Sequence, residues 1–325
     1  MEALDFKDIQ PVRDMTSLLE LARLIAQVGG PKKVAVAAAE EAHVIEAVNE
    51  ARIEGLVHPI LFGNPERIRR LASELGIRTQ NLEIQHAKNP AEAAELATQA
   101  VSRGEADILM KGMVQSSDFL RAALNRDWGL RTGRLLSHVL IYEAKGYDRL
   151  FFMSDGAMNI NPDLKAKIQI VENAVTLAHL LGINPPKVAL LAAVEVVNPE
   201  MDTAVEDAII AKMADRGQIK GAIIDGPLAL DNAVSEEAAR IKGIKSPVAG
   251  RADILIVDNI DVGNVFYKSL IYFARVRGAG LIMGARAPMV LTSRADPEEV
   301  KFLSLATAVI AAERMGYVLE EAGSV

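Results

Sequence analysis

Short runs rich in Val, Ile, Leu and Ala, each followed by a longer stretch of helical periodicity, recur along the chain, and this alternation most restricts what it can fold into. KVAVAAA at Lys33–Ala39 precedes EEAHVIEAVNEAR, in which Ala42, Ile45, Ala47 and Val48 favour one helical face. HPILFG (58–63) precedes PERIRRLASEL, ADILMKG (106–112) precedes SSDFLRAAL, and LFFMSDG (150–156) precedes a helix predicted from about Pro162 to Leu181. VALLAAV (188–194), GAIIDG (221–226), ADILIVD (252–258) and GLIMG (280–284) predict further strands. Repeated strand–helix units imply an α/β fold with largely parallel sheets covered by helices on both faces. No solenoid period and no low-complexity stretch interrupts this pattern.

A chain of 325 residues suits two such domains better than one. The polar YEAKGYD segment, near Glu143 to Asp148, predicts one boundary, and the second is placed near Arg286 to Pro288. The expected division is therefore 1–145 plus 288–325, with the last helix returning to the first domain, and 146–287 as the second. A hydrophobic share of 50% with 24% charged residues indicates a globular chain. The net charge of −7 offers no general attraction to nucleic acid or anionic membrane, so an anionic substrate must be held by local basic residues. The absence of cysteine removes disulfides, thiolate metal sites and a cysteine nucleophile together. The acidic start MEALDFKDIQ lacks an export pattern, and no apolar run is long enough to span a bilayer, so a soluble cytoplasmic protein is expected.

Polar residues collect where predicted strands end: Lys111 and Gly112, Ser154 and Asp155, Asp225 and Gly226, Asp258 and Asn259, then Ser293 and Arg294. Ligands bind at that edge of parallel α/β sheets, although Asp and Gly also serve there as caps and turns. In PMVLTSRADPEEV (288–300) a Ser–Arg pair precedes a helix whose first turn is expected to carry Asp296, Glu298 and Glu299. A guanidinium and free helix N–H groups suit phosphate; an exposed arginine beside an ordinary acidic helix start fits the same letters. In MKGMVQSSDFLRAAL (110–124) Ser116 or Ser117 is expected to cap a helix, and with Arg121 the same hydroxyls suit a phosphate cradle. There is no GxxxxGK[ST] and no HExxH, and GAGLIMG has the wrong spacing for GxGxxG. His43, His58, His86, His138 and His179 are dispersed, so no metal site is expected.

Taken in order, MKGMVQSSDFLRAAL, FFMSDGAMNINP, GAIIDGPLALDNAVS, SPVAGRADILIVDNIDVGNVFYKSL and VLTSRAD resemble the phosphate acyltransferase family, with the phrasing closer to its butyryl than its acetyl branch. The resemblance implies two α/β/α domains of the isocitrate/isopropylmalate dehydrogenase-like type with an interdomain cleft. It implies reversible conversion of acyl-CoA and inorganic phosphate to acyl phosphate and CoA, with CoA as substrate, no bound cofactor, and homodimers or larger assemblies. Ser293 and Arg294 match the family's Ser–Arg pair, in which arginine holds phosphate and serine helps stabilise the reacting carbonyl oxygen. Arg121 matches a second anion-binding arginine, with Ser116 and Ser117 beside it. Lys111, Asp155, Asp225, Asp258 and Asn264 are the remaining cleft candidates. Two departures stand out: the acetyl branch's upstream basic segment, with a further functional arginine, has no counterpart between Asn81 and Ala106, and that branch's catalytic-base aspartate, seven residues after the motif serine, falls on Val300. Glu299, adjacent, is taken as the candidate base. The rival readings are a non-catalytic CoA- or acyl-phosphate-binding protein and a metal- and NAD-dependent dehydrogenase of similar fold.

Overall fold

A computed structural model of the chain describes residues 10–323; residues 1–9 of the acidic start and the last two residues of the expected first domain lie outside the described residues. The elements begin with α1 (Met15–Gly29), β1 (Lys32–Ala37), α2 (Ala42–Ile53), β2 (Val57–Gly63), α3 (Pro65–Glu74), β3 (Glu83–His86), α4 (Pro90–Ser102), β4 (Ile108–Lys111) and α5 (Ser116–Ala123). They continue with β5 (Ser137–Glu143), β6 (Leu150–Ser154), α6 (Leu164–Leu180), β7 (Lys187–Leu191), α7 (Asp202–Asp215), β8 (Ile223–Leu228), α8 (Leu230–Val234), α9 (Glu236–Ile241), β9 (Ile254–Ile256) and α10 (Ile260–Ser269). A π-helical turn at Leu270–Ala274 extends α10, and β10 (Arg277–Met283), β11 (Met289–Val290) and α11 (Glu298–Gly323) complete the chain.

Two compact units result: Met15–Arg134 with the chain from Gly278 onward, and Gln10–Asp14 with Leu135–Arg277. The division falls about ten residues before each boundary expected from the sequence, for a pairing reason. Strand β5 pairs antiparallel with β6 and goes with the second unit, whereas β10 pairs antiparallel with β11 and goes with the first. Within the first unit the strand order is β3-β2-β1-β4-β11-β10, parallel except for the last pair. Within the second it is β5-β6-β9-β7-β8, parallel except for the first pair. The α/β class and the mostly parallel pairing follow the sequence pattern. Short polar β3 carries no clear apolar period and has no counterpart among the expected strands.

Local chemistry explains several helix starts. The side chains of Asn64, Asn89 and Asp163 cap α3, α4 and α6 by accepting the N–H of Arg67, Glu92 and Ala166, and Pro65 and Pro90 stand in the first turns of α3 and α4, where a missing N–H costs nothing. The expectation of a serine cap on α5 is corrected: Gln115 occupies the cap position without a side-chain bond, and Ser116 and Ser117 are the first two helical residues, both exposed. In the first unit Val34–Ala37 of β1 are buried without alternation, as a parallel strand covered on both faces should be. Helix α11 is apolar nearly all round from Leu303 to Ala311 and packs against α1, α2, β4 and β11. Among the described residues no helix is long and apolar enough to cross a membrane.

Candidate active site

The first unit has its topological switch point between β1 and β4, since the chain builds β2 and β3 on one side of β1 and β4 and β11 on the other. Open α/β sheets bind ligands outside the carboxyl ends of the strands at such a point. Register brings three strand ends level there: Ala37 of β1 lies beside Lys111 of β4, and Met110 beside Val290 of β11. The backbone after β4 is locked. Gly112 and Met113 donate to Ala37 and Ala38 carbonyls at 2.8 and 2.6 Å, and a Cβ built on Gly112 would meet the Ala38 oxygen at 2.2 Å. No other residue fits that approach.

The Ser–Arg pair sits in the turn between β11 and α11. The Ser293 N–H donates to Asp296 Oδ2 at 2.7 Å, the Asp296 N–H returns to the Ser293 carbonyl at 3.1 Å, and the Ala295 N–H reaches Ser293 Oγ at 3.4 Å. The helix starts at Glu298, so Asp296 is a buried brace of the turn and not a residue of the first helical turn. Lys301 is only 1% exposed, and its Nζ donates to the carbonyls of Asp296 at 2.8 Å and Ser293 at 3.3 Å. A helical side chain leans toward its own N-terminus, which lets a residue inside α11 hold the turn before it.

These groups act on one another electrostatically. Burial pushes the Lys111 ammonium below the usual lysine range, and the positive charge of Arg294 adds to that; Glu41 opposes it and Lys301 adds further. Burial also lowers Lys301, against the pull of Glu41 and Asp296. Glu41, at the cap position of α2, makes no capping bond and acts on both ammonium groups. Ser293, Arg294, Lys111, Lys301 and Glu41 thus share one strand-end region, and the exposed Arg294 guanidinium is its most accessible cation. Sequence reasoning missed Lys301 and Glu41. The signal for Lys301 was a single charge heading the otherwise uncharged KFLSLATAV run; Glu41 carried none.

Other expected site residues are engaged differently. Arg121 is exposed and donates to Asp118 at 2.6 Å one turn away on α5. Glu299 is exposed at the start of α11 and faces an acidic neighbour: Glu50 of α2 is raised by burial, then by Glu298, Glu54 and Glu299. In the second unit Asp155 closes a turn, accepting N–H groups of Ala157 and Met158 at 2.9 and 3.2 Å and the Asn159 amide at 2.6 Å. Asn264 donates to the Gly156 carbonyl at 3.3 Å, beside a close approach of Gly156 and Gly263. Asp225 accepts the following Gly226 N–H at 2.9 Å. Asp258 pairs with buried Lys167 at 2.5 Å, and Glu206 holds the same ammonium at 2.7 Å. No group of three or more metal-ligating side chains occurs among the described residues.

A mostly parallel α/β chain whose cations gather round a braced Ser–Arg turn at a sheet switch point falls in the class of open α/β proteins with basic groups at the strand ends, where ligands of such sheets bind. Residues 82–311 match the family described as phosphate acetyl/butaryl transferase, a span that includes Lys111, Arg121, Ser293, Arg294 and Lys301. A phosphate butyryltransferase of Clostridium beijerinckii is 48% identical over 283 residues, 87% of this chain and 94% of that protein. A phosphate acetyltransferase of Thermotoga maritima is 47% identical over 296 residues, 91% of this chain and 99% of that protein. Among solved structures, a branched-chain phosphotransacylase from Enterococcus faecalis V583 superposes with a TM-score of 0.78 at 36% identity, covering 86% of this chain and 99% of that one. The chain belongs to the phosphate acetyl/butaryl transferase family and is an acyltransferase.

Proposed function

We propose that this enzyme reversibly moves a short-chain acyl group, butyryl ahead of acetyl, between coenzyme A and inorganic phosphate, giving acyl phosphate. The observation that carries this is the Ser293–Arg294 turn, braced from behind by Asp296 and Lys301 and presented at the ends of β4 and β11. With acyl phosphate as donor, the CoA thiol loses its proton, the thiolate attacks the carbonyl carbon, and the tetrahedral intermediate expels phosphate. In reverse, a phosphate oxygen attacks the thioester and the CoA thiolate leaves, to be protonated. Arg294 orients the phosphate through its planar fork. Ser293 Oγ donates to the developing oxyanion, a contact of the kind that contributes roughly 3 kcal/mol. Without a cysteine the chain favours direct transfer in a ternary complex. Glu299, beside Val300, is one candidate base; Glu41, whose charge reaches both buried ammonium groups, is its competitor. Arg121 keeps its proposed part as a second anion contact, with Ser116 and Ser117 exposed beside it on α5.

The same proposal takes CoA as a substrate, requires no resident cofactor or metal, and places the reaction in the cytoplasm, where these substrates are made. It includes the isocitrate/isopropylmalate dehydrogenase-like plan, supported by the parallel α/β build of each unit. It also includes a homodimer or larger assembly. Supporting that, Val262, Val265, Tyr272 and Phe273 form an exposed apolar run along α10 and its extension, with Phe273 88% exposed.

The test is CoA release from acetyl-, propionyl-, butyryl- and branched acyl-CoA with and without phosphate. Phosphate-dependent release without added metal or nicotinamide is expected, with butyryl-CoA preferred to acetyl-CoA. Loss of all release on adding chelator, or turnover seen only with NAD, would overturn the assignment.

A further inference from the structure

We propose that Lys111 is a further phosphate-contacting residue of this site, meeting the same phosphate as Arg294. Lys111 ends β4 and is 6% exposed, and its ammonium, with three donors, has a single acceptor among the described residues, the Gly112 carbonyl at 3.2 Å. A buried ammonium with donors to spare is costly unless an anion completes its shell. Nearby negative charge is already committed: Asp296 Oδ2 takes the Ser293 N–H, and Glu41 is shared between Lys111 and Lys301. Arg294 and Lys301 both act against the Lys111 charge, so an arriving dianion relieves repulsion as well as filling the vacant donors.

The second unit supplies an internal contrast. Lys167 is equally buried but is clasped by Asp258 and Glu206 at 2.5 and 2.7 Å, and although burial lowers it, those partners hold its ammonium above the usual range. Lys111 is held below its usual range, on a backbone fixed by the Gly112 approach to Ala38. That is the condition of a preorganised anion contact.

Resting on the proposed use of phosphate, the role of Lys111 is tested on the full chain with two probes. The first is phosphate saturation of CoA release; the second is the rise in melting temperature produced by sulfate, a dianion that does not titrate near neutrality. Lys111→Met is expected to raise the phosphate KM by about tenfold or more, the size of one charge-assisted contact, and to abolish most of the sulfate-induced rise. Lys111→Arg is expected to restore much of that rise. The groups facing Lys111 are Glu41 at the start of α2, Arg294 in the turn before α11 and Lys301 on α11. As pH climbs through the lowered Lys111 range the ammonium is lost, so the parent's sulfate effect should fade at alkaline pH while that of the arginine variant persists. A folded Lys111→Met protein with the parent's sulfate response overturns the inference. Should that variant fail to fold, an arginine variant whose sulfate response fades with pH as the parent's does overturns it instead. A parent that releases no CoA in response to phosphate sinks the proposed reaction, whereas the sulfate measurements still decide the anion contact.

Discussion

At the residue scale, the fork of Arg294 and the carboxylate of Glu41 carry the sharpest expectations. Arg294→Lys keeps the charge but loses bidentate geometry, so kcat/KM for phosphate should fall by about 2 kcal/mol, roughly thirtyfold, with melting temperature unchanged. Unchanged kinetics in a folded variant would remove Arg294 from the site. Two glutamine variants should decide the proton acceptor. Glu299 lies beside acidic Glu50, whereas Glu41 acts on Lys111 and Lys301, so Glu41→Gln is expected to cost more turnover than Glu299→Gln. The opposite order in steady-state kcat would return the role to Glu299. Arg294 and Ser293 were visible in the sequence because a Ser–Arg pair between strand and helix is a contiguous pattern. Glu41 was not, because nothing in its own neighbourhood distinguishes it from a surface acid.

At the scale of elements, the packing of α6 on α7 rests on buried charge. Lys167 of α6 meets Glu206 of α7 and Asp258 after β9, and Asp207 lies in the same cluster, 4% exposed and with Oδ2 lacking a hydrogen-bond partner among the described residues. Lys167→Met leaves those carboxylates without their cation and should destabilise the protein by about 3 to 5 kcal/mol in urea unfolding, since breaking a buried pair costs far more than the pair contributes. Burial pushes Asp207 from its usual 3.8 up to about 7; Lys167 opposes the rise, and Asp258 and Glu206 add to it. Between those values the folded chain keeps a proton that the unfolded chain has lost, so Asp207 lowers stability progressively as pH rises through that window. Asp207→Asn should therefore gain stability relative to the parent between pH 5 and pH 8, by at most about 4 kcal/mol. A stability difference independent of pH would refute this. In the first unit, Gly112→Ala should cost both stability and activity, because its Cβ would displace the chain that carries Lys111.

For the molecule as a whole, an apolar run with Phe273 88% exposed predicts self-association through this face. Phe273→Asp should shift the sedimentation coefficient toward that of a monomer of 35.0 kDa; a parent already monomeric would deny the assembly. The alternation of strand and helix was legible except at short polar β3, because continuous apolar runs and a period of 3.6 are properties of neighbouring residues. So were the strand ends where polar residues gather. The limits of the two units were not, since they depend on β5 joining β6 and β10 joining β11. What the sequence by itself determined was the α/β class and the Ser293–Arg294 turn. Tertiary structure alone decided that Glu41, Arg294 and Lys301 come within electrostatic reach of Lys111, because their meeting depends on β1, β4 and β11 lying side by side in register, a long-range pairing that no local pattern encodes.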